Sequence, residues 1–196
     1  MTGGRRERGV VQGVPSASLL RLNRHALPNI LVVGGAPCER ATAARTLHGQ
    51  SRLHARAFCA MSATADPAGI ERALLSWLGH DPGAAAPDCE RGTLFIDDVA
   101  HLPVHVQRLL QLLARRLEDT PVDARLGPGP ARLAAGCAVE PAEEVSHGRL
   151  LAGLHDSLEK LCIHLGILPR SVAAIGARGA APASEGSAPR DRGRSA

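Results

Sequence analysis

Residues Gly92–Asp98 read Gly-Thr-Leu-Phe-Ile-Asp-Asp, and this stretch constrains the fold more than any other. Its apolar run, Thr93–Ile96, ends in two adjacent carboxylates. A short apolar run of this kind predicts a strand buried on both faces of a parallel sheet. Such a strand delivers Asp97 and Asp98 to the carboxyl edge, where open α/β folds hold their ligands. Pro103 then opens a segment in which Val106, Leu109, Leu110, Leu113 and Leu117 recur at helical spacing. Gln107, Arg108, Gln111, Arg115 and Glu118 fall largely off that stripe, so an amphipathic helix is expected to follow the strand.

With 196 residues the chain has the length for one domain with a sizeable core. Aromatic residues make up only 2%, with Phe58, Trp77 and Phe95 as the whole set, so that core must be built from Leu, Val, Ile and Ala. The net charge of +4 is carried almost wholly by arginine, Lys160 being the sole lysine, and it gathers at Arg5–Arg8 and Arg190–Arg194. Two readings remain open for it, a nucleic-acid footprint or solvated faces with an arginine-favouring coding bias. The cysteines, Cys38, Cys59, Cys89, Cys137 and Cys162, are odd in number and widely spaced, without a CxxC pair. That argues against a disulfide framework or a zinc site and for a reducing compartment. No window approaches the roughly 18 apolar residues of a membrane span, and no apolar core follows Arg5 and Arg6 as an export signal would require. The cytoplasm is therefore the expected location.

Along the chain, Met1–Gln12 reads as a disordered basic tail and Gly13–Ala26 as a short helix. Ile30–Val33 has the β-branched character of a buried strand, and Ala41–His48 that of a helix. Between them lies Gly34-Gly35-Ala36-Pro37-Cys38-Glu39-Arg40. Strand, glycine turn and helix form the frame of a phosphate-binding loop, whose chemistry asks for GxxxxGK and then Ser or Thr. Backbone N–H groups cradle the phosphates, the lysine reaches the outer ones and the hydroxyl binds magnesium. Here Gly34 matches, while Glu39, Arg40 and Ala41 stand at the second glycine, the lysine and the hydroxyl positions. Glu39 is the gravest departure. At roughly 4 Å, with an effective dielectric of about 20, a like-charge contact with phosphate costs a few kcal/mol. Arg40 keeps the charge in a bulkier, forked form, and Pro37 removes a backbone donor.

Further on, Asp66 and Pro67 are expected to start a helix carrying Ile70, Leu74, Trp77 and Leu78 on one face, with Gly79 closing it. Asp119–Pro130 reads as a connection and Ala131–Ala135 as a strand. Past Arg170 the composition turns to a tail without a core pattern. Strand and helix signals alternate, which predicts an α/β fold, a three-layer sandwich with a mostly parallel sheet. The expected organisation is a basic tail over 1–12, a core over 13–170 and a second tail over 171–196.

Gly92–Asp98, with Leu102, Pro103, Val106, Gln107, Leu109 and Leu110, resembles the Walker B region of the AAA+ domain of sigma-54-dependent transcriptional activators, worded GTLFLDE and then LP, VQ and a leucine-rich helix. Arg56–Ser62 is similar to their second strand, Leu78–Ala84 to their FGHEKGA segment, and Gly148–Leu165 to their GxFREDLFxRLNVIxIxLP. The resemblance implies a P-loop NTPase core with ATP and Mg²⁺ as cofactors. The nucleotide loop would be Gly34, Gly35, Glu39, Arg40 and Ala41, Asp97 would hold the metal, and Asp98 would stand where the family's Glu orients the attacking water. It also locates losses. The GAFTGA loop is cut off after Ala84, so direct sigma-54 contact is not expected. The polar sensor position falls within Gly136–Ala138, and the inter-subunit arginines, worth orders of magnitude in rate in such hydrolases, fall on Leu151 and Ser157. On the same resemblance, neither a lid subdomain nor a DNA-binding domain is expected within these residues. The reading is a degenerate, ATPase-defective domain acting in transcription as a protein-binding or regulatory module, partnered by an intact AAA+ relative or a transcription-machinery protein. A weak ATP-binding protein with slow or no hydrolysis, and a fragment without function, are the alternatives.

Overall fold

The computed structural model describes residues 11–12, 23, 26–81, 83, 86–125 and 129–166. Both tails, apart from Val11 and Gln12, and most of the helix expected within Gly13–Ala26 lie outside the described residues. The elements, in chain order, are β1 (Val11–Gln12), β2 (Ile30–Val33), α1 (Pro37–Gly49), β3 (Phe58–Ser62), α2 (Pro67–Leu78), β4 (Thr93–Asp97), α3 (Val104–Asp119), β5 (Arg132–Cys137), α4 (Pro141–Ser146), α5 (Ala152–Leu158) and β6 (Leu161–His164). The strands form one sheet in the order β1-β6-β2-β5-β4-β3, every neighbouring pair parallel. The expected three-layer α/β architecture is what the chain adopts. One correction falls at its start: Val11 and Gln12, placed in the basic tail by composition, pair with Ile163 and His164 as the edge strand β1.

Why these residues take these conformations is plain from their chemistry. The strands β2, β4 and β5 are buried along their whole length, as central parallel strands covered on both faces must be. One face carries Ile30, Val32, Phe95 and Ala134, which pack on Ala44 and Leu47 of α1. The opposite face carries Leu31, Leu94, Ile96 and Leu133, which pack against α2, α3 and α5 in the larger core. The helix α2 is bounded as its sequence predicts: Asp66 accepts from the Gly69 N–H at 2.8 Å, and Gly79, at φ 81°, ends it in the left-handed conformation that favours glycine.

One boundary and one buried position differ from expectation. The helix α1 begins at Pro37 rather than Ala41, because the proline ring is pre-set for the first helical turn and has no N–H to leave unpaired. In α3, Gln107 is not off the buried stripe but 1% exposed. Its amide donates to Leu102 O at 2.9 Å and Arg149 O at 2.7 Å and accepts from Leu151 N at 2.9 Å. A buried amide with its partners met in this way clamps α3 to the segment entering α5. Leu109, on the predicted stripe, is only half-buried.

Candidate functional site

Because every strand runs the same way, Val33, Asp97, Cys137 and His164 all end at one edge of the sheet. The turn Gly34–Ala36 leaves β2 at that edge, with φ of 80° at Gly34 and 67° at Gly35. Both values lie where a side chain is strained, and the turn is tightly covered besides. A Cβ on Gly34 would meet Leu165 O at 3.1 Å, and one on Gly35 would meet Glu39 Oε2 at 2.9 Å and Leu165 Cδ1 at 3.0 Å. Leu165 is held there by its N–H, which donates to Val33 O at 2.8 Å.

The early start of α1 consumes donors that a phosphate cradle needs. The N–H groups of Glu39 and Arg40 both donate to Ala36 O, at 3.0 and 3.1 Å. The Ala36 N–H donates to Glu39 Oε2 at 2.6 Å, so the chain's own carboxylate sits at the positive end of the helix, where an anion is stabilised by the aligned peptide dipoles.

Arg40 turns inward from the same helix and is 1% exposed. Its Nε donates to Asp97 Oδ1 at 2.6 Å and its Nη2 to Asp97 Oδ2 at 2.9 Å, a bidentate pair. The Nη2 group also reaches Asp98 Oδ1 at 2.9 Å, and Nη1 donates to Gly35 O at 2.8 Å. Burial alone would lower the Arg40 pKa. The hydrogen bond and charge of Asp97, then the charge of Asp98, outweigh it and hold the guanidinium pKa above its ordinary value. Asp98 has φ 54°, a left-handed conformation that Asp tolerates better than most residues.

Gly136 makes this knot sterically feasible. The strand β5 lies between β2 and β4, so Arg40 must cross it to reach Asp97. A Cβ on Gly136 would collide with Asp97 Oδ1 and lie 3.2 Å from Arg40 Nε. The neighbouring Cys137 thiol is buried and its pKa is pushed up to about 12, chiefly by burial and then by the charge of Glu144.

The predicted residues Gly34, Gly35, Glu39, Arg40, Asp97 and Asp98 are thus brought to one edge, while Ala41 follows as an ordinary half-buried helical residue. As arranged they do not fit a magnesium–triphosphate group: two loop N–H groups are spent on Ala36 and a third on Glu39, while a guanidinium takes both oxygens of Asp97 and one of Asp98. Sequence reasoning passed over Gly136 as a determinant, although a glycine inside an apolar strand is a signal of close approach. It also passed over a second polar group on the α1 face at the opposite edge. There His48 Nδ1 lies 2.9 Å from Thr93 Oγ1, and the buried Arg132 donates to Asn23 Oδ1 at 2.5 Å and Thr93 Oγ1 at 3.3 Å. Burial pushes the Arg132 pKa down to about 10.

No protein-family model and no curated protein matches the chain. Solved structures do. NtrX from Brucella abortus, in complex with ATP, superposes with a TM-score of 0.58 at 19% identity, the match covering 76% of this chain and 34% of that one. Its ADP complex gives 0.56 at 18% identity, again over 76% and 34%. The P-loop NTPase domain of the sigma-54 transport activator from E. coli gives 0.52 at 19% identity, over 76% of this chain and 90% of that domain. The chain spans about a third of the length of NtrX. At these identities the likeness establishes a shared fold.

Proposed function

We propose that this chain is a P-loop-fold module that works without nucleotide, as a protein-binding or regulatory component in transcription control. The observation that carries it is the buried Arg40 guanidinium, which engages both oxygens of Asp97 and one of Asp98, the acids a metal ion would need. Glu39 supports the reading by holding the Ala36 N–H with a charge of the same sign as phosphate. The regulatory assignment draws on the resemblance of Gly92–Asp98 and its following helix to sigma-54 activators, and on the fold shared with such a domain. Its partner would be an intact AAA+ relative or a transcription-machinery protein.

Calorimetric titration of the folded chain with Mg²⁺–ATP and with a non-hydrolysable analogue tests this. Heat is expected to stay at the dilution baseline up to millimolar nucleotide. The variant Glu39→Gly/Arg40→Lys, which frees the Ala36 N–H, removes the like charge and restores a compact ammonium, is expected to bind. Micromolar affinity in the unmodified chain would overturn the proposal in favour of a second reading, a weak ATP-binding protein using Arg40, Asp97 and Asp98. That reading is favoured by one observation, that the structurally similar NtrX was crystallised with ATP and with ADP.

A further inference from the structure

We propose that Cys162 is a nucleophilic thiol with His164 as its general base, a site for S-acylation by an uncharged acyl donor. Cys162 and His164 stand two residues apart on β6 and so share one face of the sheet. The Cys162 Sγ lies 3.4 Å from His164 Nε2, and His164 Nδ1 lies 3.6 Å from Glu140 Oε2. Nucleophile, base and an acid beside the base thus follow one another in space, the order in which thiol and hydroxyl nucleophiles are activated. Cys162 is partly exposed, and the His164 and Glu140 side chains are 28% and 49% exposed.

The fold brings these groups together from separate elements. Cys162 and His164 pair with Leu31 and Val33 of β2, which places His164 at the carboxyl end of the sheet. Glu140 arrives from the segment after β5, immediately before α4. With its proton on Nδ1, toward the Glu140 carboxylate, a neutral His164 presents the Nε2 lone pair to the Cys162 thiol. Burial first, then the charges of Glu140 and Glu159, push the Cys162 thiol up to about 11. Thiolate is therefore scarce at neutral pH, and the sulfur becomes a nucleophile by giving its proton to His164 as it attacks. The same two carboxylates repel an anionic donor and so favour an uncharged one.

The reaction is acyl transfer from RC(=O)X, an activated ester or thioester. The Cys162 sulfur bonds to the carbonyl carbon while its proton passes to His164 Nε2. The tetrahedral adduct then breaks its bond to X, which leaves with that bond's electron pair and takes the proton from His164. In sum, the thiol and RC(=O)X yield a thioester on Cys162 and HX. Cys38 supplies a reference within the same chain, being exposed where Cys162 is half-buried. Among the described residues, the hydrogen-bonded thiol–imidazole pair is that of Cys162 and His164.

The test is brief treatment of the native full-length chain with p-nitrophenyl acetate at neutral pH, followed by proteolysis and mass spectrometry. The expected product is an acetyl group on Cys162, removed by neutral hydroxylamine as a thioester is, and formed before any on the more exposed Cys38. His164→Gln is expected to slow acetylation of Cys162 by about 100-fold, the order of a lost general base, and to leave that of Cys38 unchanged. Acetylation of Cys38 first, or no acetyl group on Cys162, would overturn the proposal, as would an equal rate at Cys162 in the folded variant. The order of labelling is read on the unmodified chain, so it needs no variant to fold, and it does not depend on the nucleotide reading above.

Discussion

Taking away the Arg40 side chain would leave Asp97, only 6% exposed, as a buried carboxylate without a counter-ion. Breaking a buried pair from one side costs about 3–5 kcal/mol, so Arg40→Met is expected to lose that much in urea unfolding. Asp97→Asn/Arg40→Met, which removes both charges, is expected to lose less than the two single changes summed. Additivity of the singles would show that the pair is not coupled. His48 supplies a pH-dependent case. Burial first, and the nearby Arg132 charge second, lower its pKa below the reference 6.5. Below pH 6.5 the unfolded chain takes up the proton while the folded one resists, so stability falls as the pH drops from there. The urea midpoint of His48→Gln should fall less steeply than that of the natural chain between pH about 6.5 and about 5; equal slopes would assign the loss to other groups.

Among the elements, α3 separates buried from exposed leucine within one turn. Leu110 is 0% exposed and Leu112 51%. Leu110→Ala is expected to cost about 2–5 kcal/mol, against less than about 0.5 kcal/mol for Leu112→Ala. Equal costs would mean that a partner or another segment covers Leu112. The spacing of Val106, Leu110, Leu113 and Leu117 was readable as this face, because helical periodicity is a property of the chain alone. The burial of Gln107 was not, since only the approach of Arg149 and Leu151 gives its amide enough partners to leave water. The start of α1 was likewise misplaced, a local signal at Pro37 being outweighed by the template of a longer phosphate loop.

At the scale of the whole molecule, Asn29 joins the layers: its buried amide nitrogen lies 3.3 Å from Ala114 O, 3.2 Å from Glu118 Oε1 and 3.1 Å from Ser157 O. Asn29→Leu strands these acceptors, and a loss of roughly 1–3 kcal/mol in urea unfolding is expected; a neutral result would mean that water reaches them. What the amino-acid sequence determined by itself is the alternation of strands and helices, the buried character of β2, β4 and β5, and the delivery of Asp97 and Asp98 to a strand end. These follow from local propensity and apolar periodicity, which need no knowledge of distant residues. The closing of the site on itself was settled by tertiary contacts. Arg40 and Asp97 are far apart along the chain. Their meeting depends on which strands are neighbours, on the glycine at 136 between them, and on a buried environment that makes an unpaired charge too costly to keep.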